Sequence, residues 1–314
     1  MKILIAEFAV GTEVEKSLIP EGAAMLKTLA ESFARLGHEV YYPSVNPRDC
    51  AGTALKSTAD SFLQVIEKQA KECDAGLIIA PDSMLSEFNK LLEENTANLG
   101  CSPESVACCA DKLRCTERLQ KAGIAVPEIS VVPEKGKWYV KKPRFGCGAE
   151  ETSLVRNFEE KEDFVATEYI KGLSLSVSLI AGEKPLCLTV NRQFIEFEAE
   201  NKGNSGCENQ ESKIKYNGSL TPYLSSRMDE LYATAVSVAE CLQCNGYVGV
   251  DIVLSDLPYV VDVNPRPTAS LFGIARVMKE EIGDLILQNR FGTLPGSVHL
   301  SGEYRFSKDM LMSL

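Results

Sequence analysis

The chain has 314 residues, 45% hydrophobic and 25% charged, which suits a globular protein of two or three lobes at roughly 100 to 200 residues per domain. A formal net charge of -11 excludes a general polyanion-binding surface, because sequence-independent affinity for nucleic acid comes from many Lys and Arg contacts to phosphates. No stretch approaches the roughly 18 apolar residues that cross a bilayer, so the expected partners are small molecules, with no nucleic acid and no membrane. A homo-oligomer is compatible with this composition.

In chain order, Lys2 to Ala6 is an apolar run that Glu7 interrupts, with no small-residue cleavage site after it, and it reads as a first buried strand followed by a loop. Met25, Leu26, Leu29, Phe33 and Leu36 then carry helical spacing over Glu21 to Gly37, and Glu39 to Tyr42 resumes a strand. A helix over Ala59 to Glu72 precedes the compact apolar strand Ala75 to Ala80, which Pro81 ends. This β-α-β-α-β order predicts a small parallel-sheet α/β domain over residues 1–100. The loop after the first strand lacks G-x-G-x-x-G, so a pyrophosphate cradle of the dinucleotide-binding kind is not expected. Glu7 and Glu21 fall at the carboxyl ends of the strands, where open α/β sheets place ligands, or else are plain surface carboxylates.

Ser102-Pro103-Glu104 opens a helix with a cap and a first-turn proline, and a second helix runs from Asp111 until Gly123 closes it. The pattern then turns largely antiparallel, giving an α+β second part. Strands are expected at Val126 to Val132, Lys137 to Lys142, Thr152 to Val155, Glu168 to Leu179, Pro185 to Asn191 and Gly246 to Leu254, with a helix over Ser225 to Leu242. The polar segment Glu196 to Ser219 is too long for an ordinary connection and is expected as a lid or a poorly ordered loop. The 11 cysteines are scattered, and the C-x-x-C of Cys241 and Cys244 has no second such pair, so these are read as structural or free thiols in a reducing cytoplasm.

The strongest chemical feature is Gly249 to Leu254 followed, after a short turn, by Tyr259 to Arg266. If Ser255 to Pro258 form the loop, Leu254 meets Tyr259 and Asp251 stands directly opposite Asp262. Like charges facing each other destabilise a strand pair, and a cation would compensate. Asn264 shares the face of Asp262 and adds an amide oxygen, completing a hard-oxygen set suited to Mg2+ beside substrate phosphates. Arg266 could hold a phosphate oxygen or merely pair with these carboxylates.

Lys141 and Lys142 end a strand before a loop bearing Gly146 and Gly148, where backbone N-H groups can approach phosphates, although a flexible hairpin tip explains the segment equally well. The lysines precede the glycines and a strand follows, so this is not a Walker A loop. Glu168, Tyr169 and Ile170 could offer backbone to an adenine edge or be a plain strand end, and Asn191-Arg192-Gln193 could be a site or a surface turn.

Together, Ala110-Asp111-Lys112, Gly123 to Pro127, the Lys-Pro-glycine loop, the Glu168 segment and the Asp251 to Arg266 hairpin resemble the ATP-grasp superfamily over roughly residues 100–275. More narrowly, Glu21-Gly22, Leu99 to Ser102, Gly146-Cys147-Gly148, Leu173 to Ile180, Asn191 to Gln193 and Gly246 to Asp251 resemble the archaeal tyramine-glutamate ligases of methanofuran biosynthesis. The resemblance implies an ATP-grasp fold behind a pre-ATP-grasp α/β domain, divided as residues 1–100, a small lobe at 101–170 and a large lobe at 171–314. It implies ATP and two Mg2+ ions, with Mn2+ as an admissible substitute, and a carboxylate-amine ligase that forms an acyl phosphate and releases ADP. By the same resemblance, Lys112 and Lys142 contact phosphates, Glu168 to Ile170 hold adenine, and Asp251, Asp262 and Asn264 bind the metals. Arg192 and Arg266 sit near the transferred phosphate. Ser174 stands where many relatives have a ribose-binding Glu, and Asp262 where a longer Glu is usual. Lys141 exchanges roles with Lys142 if the strand slips by one residue. Such phosphoryl transfer needs no catalytic His, which fits a chain whose only histidines are His38 and His299.

Overall fold

The apolar run at the start becomes β1 (Lys2–Glu7), buried from Ile3 onward. It lies in a computed structural model that describes residues 1–146, 151–199 and 211–312. Where a loop was expected next, the chain forms a short helix, α1 (Phe8–Thr12), because the Glu7 side chain caps it by accepting from the Val10 amide at 2.6 Å. There follow α2 (Ile19–Arg35), β2 (Glu39–Ser44), β3 (Thr53–Lys56), α3 (Phe62–Ala70), β4 (Ala75–Ile79), α4 (Asp82–Glu93) and β5 (Ala97–Asn98). All five strands pair in parallel, in the order β3-β2-β1-β4-β5. The edge strands β3 and β5 are too short to show periodicity and were not foreseen. On α2 the expected stripe of Met25, Leu26, Leu29 and Phe33 packs on Ile3, Ile5 and Leu77. Gly37 ends the turn beyond it with φ 80°, a left-handed conformation that glycine adopts without penalty.

The second part begins with α5 (Pro103–Ala110) and α6 (Lys112–Lys121), capped by Ser102 and Asp111. It continues as β6 (Tyr139–Pro143), β7 (Ser153–Val155), β8 (Phe164–Glu168), β9 (Leu173–Ala181), β10 (Leu186–Ala199), β11 (Ser212–Thr221), α7 (Met228–Cys241), β12 (Gly246–Leu254) and β13 (Pro258–Asn264). Helices α8 (Ser270–Val277) and α9 (Ile282–Phe291), then β14 (Tyr304–Ser307) and α10 (Lys308–Met312), complete it. These nine strands make one sheet, ordered β13-β12-β9-β10-β11-β7-β6-β8, with β14 added on β11. The class is the expected one, an α/β parallel sheet joined to an α+β antiparallel part.

Three expectations are corrected. Val126 to Val132 is not a strand but makes a single bridge, Ile129 to Thr167, since Pro127 and Pro133 deny the ladder its donors. The strand expected over Glu168 to Leu179 is two, β8 and β9. Of the segment expected as a lid or a poorly ordered loop, residues 196–199 and 212–219 are instead paired strand in β10 and β11, with Glu196 opposite Lys215 and Glu198 opposite Lys213. Its signal was present as alternation, Ile195-Glu196-Phe197-Glu198 against Lys213-Ile214-Lys215-Tyr216, beneath a polar composition. The part of that segment at 200–210 lies outside the described residues.

One face of the large sheet packs on α7: Leu231, Ala235 and Val238 join Val177, Val190 and Val250 in an apolar cluster that reaches Leu4 and Ile78. By the two-residue pleat the opposite face carries Ser176, Asn191, Gln193 and Asp251. No helix among the described residues is long and apolar enough to cross a membrane.

Candidate functional site

A cavity of about 720 Å³ is lined by α2, by β6 and β8 to β13, and by β14. Asp251 and Asp262 lie on its wall, directly opposite each other across β12 and β13. The pairing is the expected one, but the path to it differs. Leu254 pairs with Pro258 and Val253 with Tyr259, so the loop is shorter than expected and would by itself set Asp251 opposite Val261. A bulge restores the pairing by leaving Val261 outside the ladder. The Val261 carbonyl instead accepts from Lys142 Nζ at 2.5 Å. One irregularity thus juxtaposes the carboxylates and anchors the lysine.

The electrostatics follow from burial and neighbours. Burial pushes the Asp251 carboxyl up to about 7, and the charge of Asp262 adds to that, against hydrogen bonds from Gln193 at 3.0 Å and Asn264 at 3.3 Å. Burial acts on Asp262 in the same direction, but Lys112 and Lys142 outweigh it and hold this carboxyl below the usual range. Lys112 Nζ lies 3.9 Å from Asp262 and donates to the Gly146 carbonyl at 2.6 Å. Burial also lowers the pKa of Lys142.

Among the described residues no group of three or more His, Cys, Asp or Glu side chains is arranged to hold a metal ion unaided. The donor set here is two carboxylates and the Asn264 amide, which a flip would turn oxygen-first. That set fits Mg2+, which takes one or two carboxylates and completes its shell with phosphate oxygens and water.

At the phosphate end, Asp111 caps α6 and receives the Arg144 guanidinium through two bonds of 2.8 and 2.7 Å, which hold its carboxyl below the usual range. The Lys112 amide donates to the Arg144 carbonyl at 3.0 Å, so the Lys-Pro-Arg-Phe-Gly loop is tied to the helix that presents Lys112. Sequence reasoning missed this Asp111–Arg144 pair. Lys142 and Gly146 line the cavity. Lys141 does not: the pleat turns it to the other face, where its Nζ lies 4.6 Å from the centre of the Phe164 ring. Gly148 lies outside the described residues.

Glu168, Tyr169, Ile170 and Ser174 line the adjoining region with Val140, Leu173 and Ile252. The amides of Glu168 and Tyr169 already donate to Glu128 and Trp138, so recognition of a base by this segment falls to its carbonyls and to Ile170. Phe197, which the expected lid had hidden, meets Tyr169 edge-on at 6.2 Å and joins this wall.

Glu21 and Met25, one turn apart on α2, reach the far end beside Tyr216 and Ser307. Glu21 pairs with Lys308 at 3.3 Å. Arg192 lines the cavity as an exposed residue in register with Leu175, on the sheet face opposite Asn191 and Gln193, so Gln193 is the one that reaches Asp251. Arg266 also lines the cavity, but its Nε donates to Asp82 at 2.9 Å rather than to the Asp251–Asp262 pair. Glu7 is the clear correction. It is buried beneath Gly22, whose missing Cβ would fall 2.4 Å from its carboxyl carbon, and it does not line the cavity. Burial, only partly offset by the Val10 and Ala9 amides and by Arg266 and Arg48, pushes it up to about 7.

His38 bonds the amino terminus and His299 pairs with Glu280, both away from the cavity. Cys244 lies in a buried thiol group, its sulfur 3.9 Å from Cys109 and 3.4 Å from the Ser105 hydroxyl, whereas Cys241 contacts the Arg118 carbonyl.

A sequence profile of the ATP-grasp domain matches residues 109–270. A solved structure from Archaeoglobus fulgidus, assigned to the ATP-grasp superfamily, superposes with a TM-score of 0.78 at 31% identity, covering 96% of this chain and 91% of that one. Tyramine--L-glutamate ligase of Methanocaldococcus fervens is 28% identical over 91% of this chain and 93% of its own length. The enzyme of the same name from Methanocaldococcus jannaschii is 27% identical over 91% and 88%. N5-carboxyaminoimidazole synthetase of Staphylococcus aureus, solved with ADP, shares the fold at a TM-score of 0.69 and 17% identity, over 96% of this chain and 80% of that one.

Proposed function

Because the chain belongs to the ATP-grasp family and is an ADP-forming carbon–nitrogen ligase, we propose that it joins the γ-carboxylate of L-glutamate to tyramine, a step of methanofuran biosynthesis. The observation that carries the ligase chemistry is the half-buried Asp251–Asp262 pair with Lys112, Lys142 and Asn264 around it, on the wall of a cavity that also reaches Glu21. The choice of acid and amine is supported by the two ligases matched over nine-tenths of the chain.

On this reading ATP lies along β6 and β8 to β9, with its base against Glu168 to Ile170 and Phe197, its ribose by Ser174 and its phosphates at Lys112, Lys142 and the Gly146 loop. Asp251, Asp262 and Asn264 would hold Mg2+, which when bound neutralises phosphate charge. The γ-carboxylate of glutamate attacks the γ-phosphorus, and the bond to ADP breaks with its electron pair leaving on ADP. The amine nitrogen of tyramine then attacks the acyl carbon, phosphate departs with the electron pair, and the nitrogen loses a proton to solvent. The residues position and neutralise, and none needs to act as a covalent nucleophile. Arg266 faces the transferred group, Arg192 stands at the rim, and Glu21 is placed to receive an ammonium group. Residues 1–100, 101–170 and 171–314 act as the three lobes that enclose the reactants.

Incubation of the protein with MgATP, glutamate and tyramine should release ADP and yield a product whose mass is the sum of acid and amine less one water. Release of AMP overturns the acyl-phosphate mechanism. ADP release with a different acid or amine, and none with this pair, overturns the substrates while keeping the ligase.

A further inference from the structure

Two side chains 184 positions apart meet where the two sheets adjoin. Asp82 is the first residue of α4, directly after β4 and Pro81, and Arg266 follows β13. Both are withdrawn from solvent: Asp82 is 3% exposed and the Arg266 side chain 11%. The bond is 2.9 Å from Arg266 Nε to Asp82 Oδ1, and Arg266 Nη1 also donates to the Pro267 carbonyl at 3.3 Å. Arg266 nevertheless lines the cavity, and its charge acts on Asp262.

A buried ion pair is a poor stabiliser, because removing two charges from water offsets most of their attraction. It does fix geometry: a guanidinium is planar, and a bond at Nε sets the plane in which its other N-H groups point. Asp82 is itself steadied by its place in the first turn of α4, where the helix dipole favours a negative charge. We propose that Asp82 is a positioning residue, supplied by the N-terminal α/β part at the start of α4, that orients Arg266 toward the terminal phosphate of ATP. This rests on the reading that Arg266 faces the transferred group. It also assigns the N-terminal α/β part a role in nucleotide discrimination, beyond carrying Glu21 on α2.

The test is calorimetric titration of MgATP and MgADP into the wild type, Asp82→Asn, Arg266→Lys and the double variant, with melting temperatures as the folding control. Asp82→Asn and Arg266→Lys should each weaken ATP by about tenfold while barely changing ADP, and the double variant should be no worse than Arg266→Lys alone. Asp82→Glu, which keeps the charge, should recover part of the loss and serves in its place if the Asn variant does not fold. An unchanged ratio of ATP to ADP affinity, an equal loss of both nucleotides, or additive losses in the double variant would overturn the proposal. Binding requires neither acid nor amine, so a wild type that fails to join glutamate and tyramine removes the substrate reading and leaves this test intact.

Discussion

Two hairpins of the same sheet use charge in opposite ways. In β10–β11 the outer positions set Glu196 against Lys215 and Glu198 against Lys213, an order that helps the strands pair. In β12–β13 the opposed residues are Asp251 and Asp262, among the buried apolar side chains of Val250, Ile252, Val260 and Val263. That order works against pairing, and a bulge is inserted to achieve it. Charge that supports its own hairpin needs no ligand to explain it, whereas charge that opposes its own hairpin marks the place where a cation or a phosphate is expected.

The largest effect that can break this comparison is at the opposed pair. Asp262→Ala should lower kcat by about a hundred- to a thousandfold, the usual loss for a preorganised electrostatic group, while the folded state persists. Asp251→Asn should be similarly inactive, yet in the absence of Mg2+ it should melt no lower than the wild type, because it removes a like-charge opposition. A clear drop in its melting temperature would show that the pair is structural. Steady-state turnover and thermal melts in chelator decide both.

Next in size is the lysine pair. Lys142→Met should weaken ATP by at least about tenfold, as expected for a charge-assisted contact to phosphate, and Lys141→Met should leave affinity as it was. Equal losses would mean that β6 slips by one residue when nucleotide binds, contrary to the pairing of Lys142 with Val165.

Glu7 separates burial from like-charge opposition. It is more deeply buried than the half-buried hairpin aspartates, but no acid faces it across a ladder and it lies outside the cavity. With its folded pKa raised from 4.5 to about 7, the fold favours the neutral acid. No difference is expected below pH 4.5, where both states are protonated. Stability is then lost as pH rises from 4.5 to about 7, by on the order of 3 kcal/mol for this group, and is level above that. Glu7→Gln should remove that slope and be the more stable protein at pH 8, measured by denaturant unfolding across the range. A slope that survives the substitution would place the buried charge elsewhere.

Much of this was legible in the sequence, for reasons that differ by region. Asp251, Asp262 and Asn264 stood out because their neighbours are apolar, and the opposition of the two acids emerged even though the loop length was misjudged and the bulge at Val261 was not visible. The parallel sheet was readable from its long apolar runs, but not β3 or β5, whose few residues carry no period. What sequence could not supply were bonds between distant segments: Asp82 with Arg266, Asp111 with Arg144, and the Val261 carbonyl with Lys142. Glu7 was misplaced because a strand end beside a ligand site and a strand end beneath a helix look alike until α1 and α2 are packed.

The smallest effects belong to the other hairpin. Lys215 and Glu198 are more than half exposed, and such pairs are screened by water and salt, so Lys215→Ala should leave the melting temperature where it was. The hairpin's worth lies on its other face, where Ile195, Phe197, Ile214 and Tyr216 meet the cavity. Phe197→Ala should therefore weaken ATP by up to about tenfold, the range of a lost edge-on aromatic contact such as that with Tyr169, again without a change in melting. If instead Lys215→Ala lowers the melting temperature and Phe197→Ala leaves nucleotide affinity untouched, the outer charges hold this hairpin and its apolar face does not serve the site. The contrast between the two hairpins would then be one of degree.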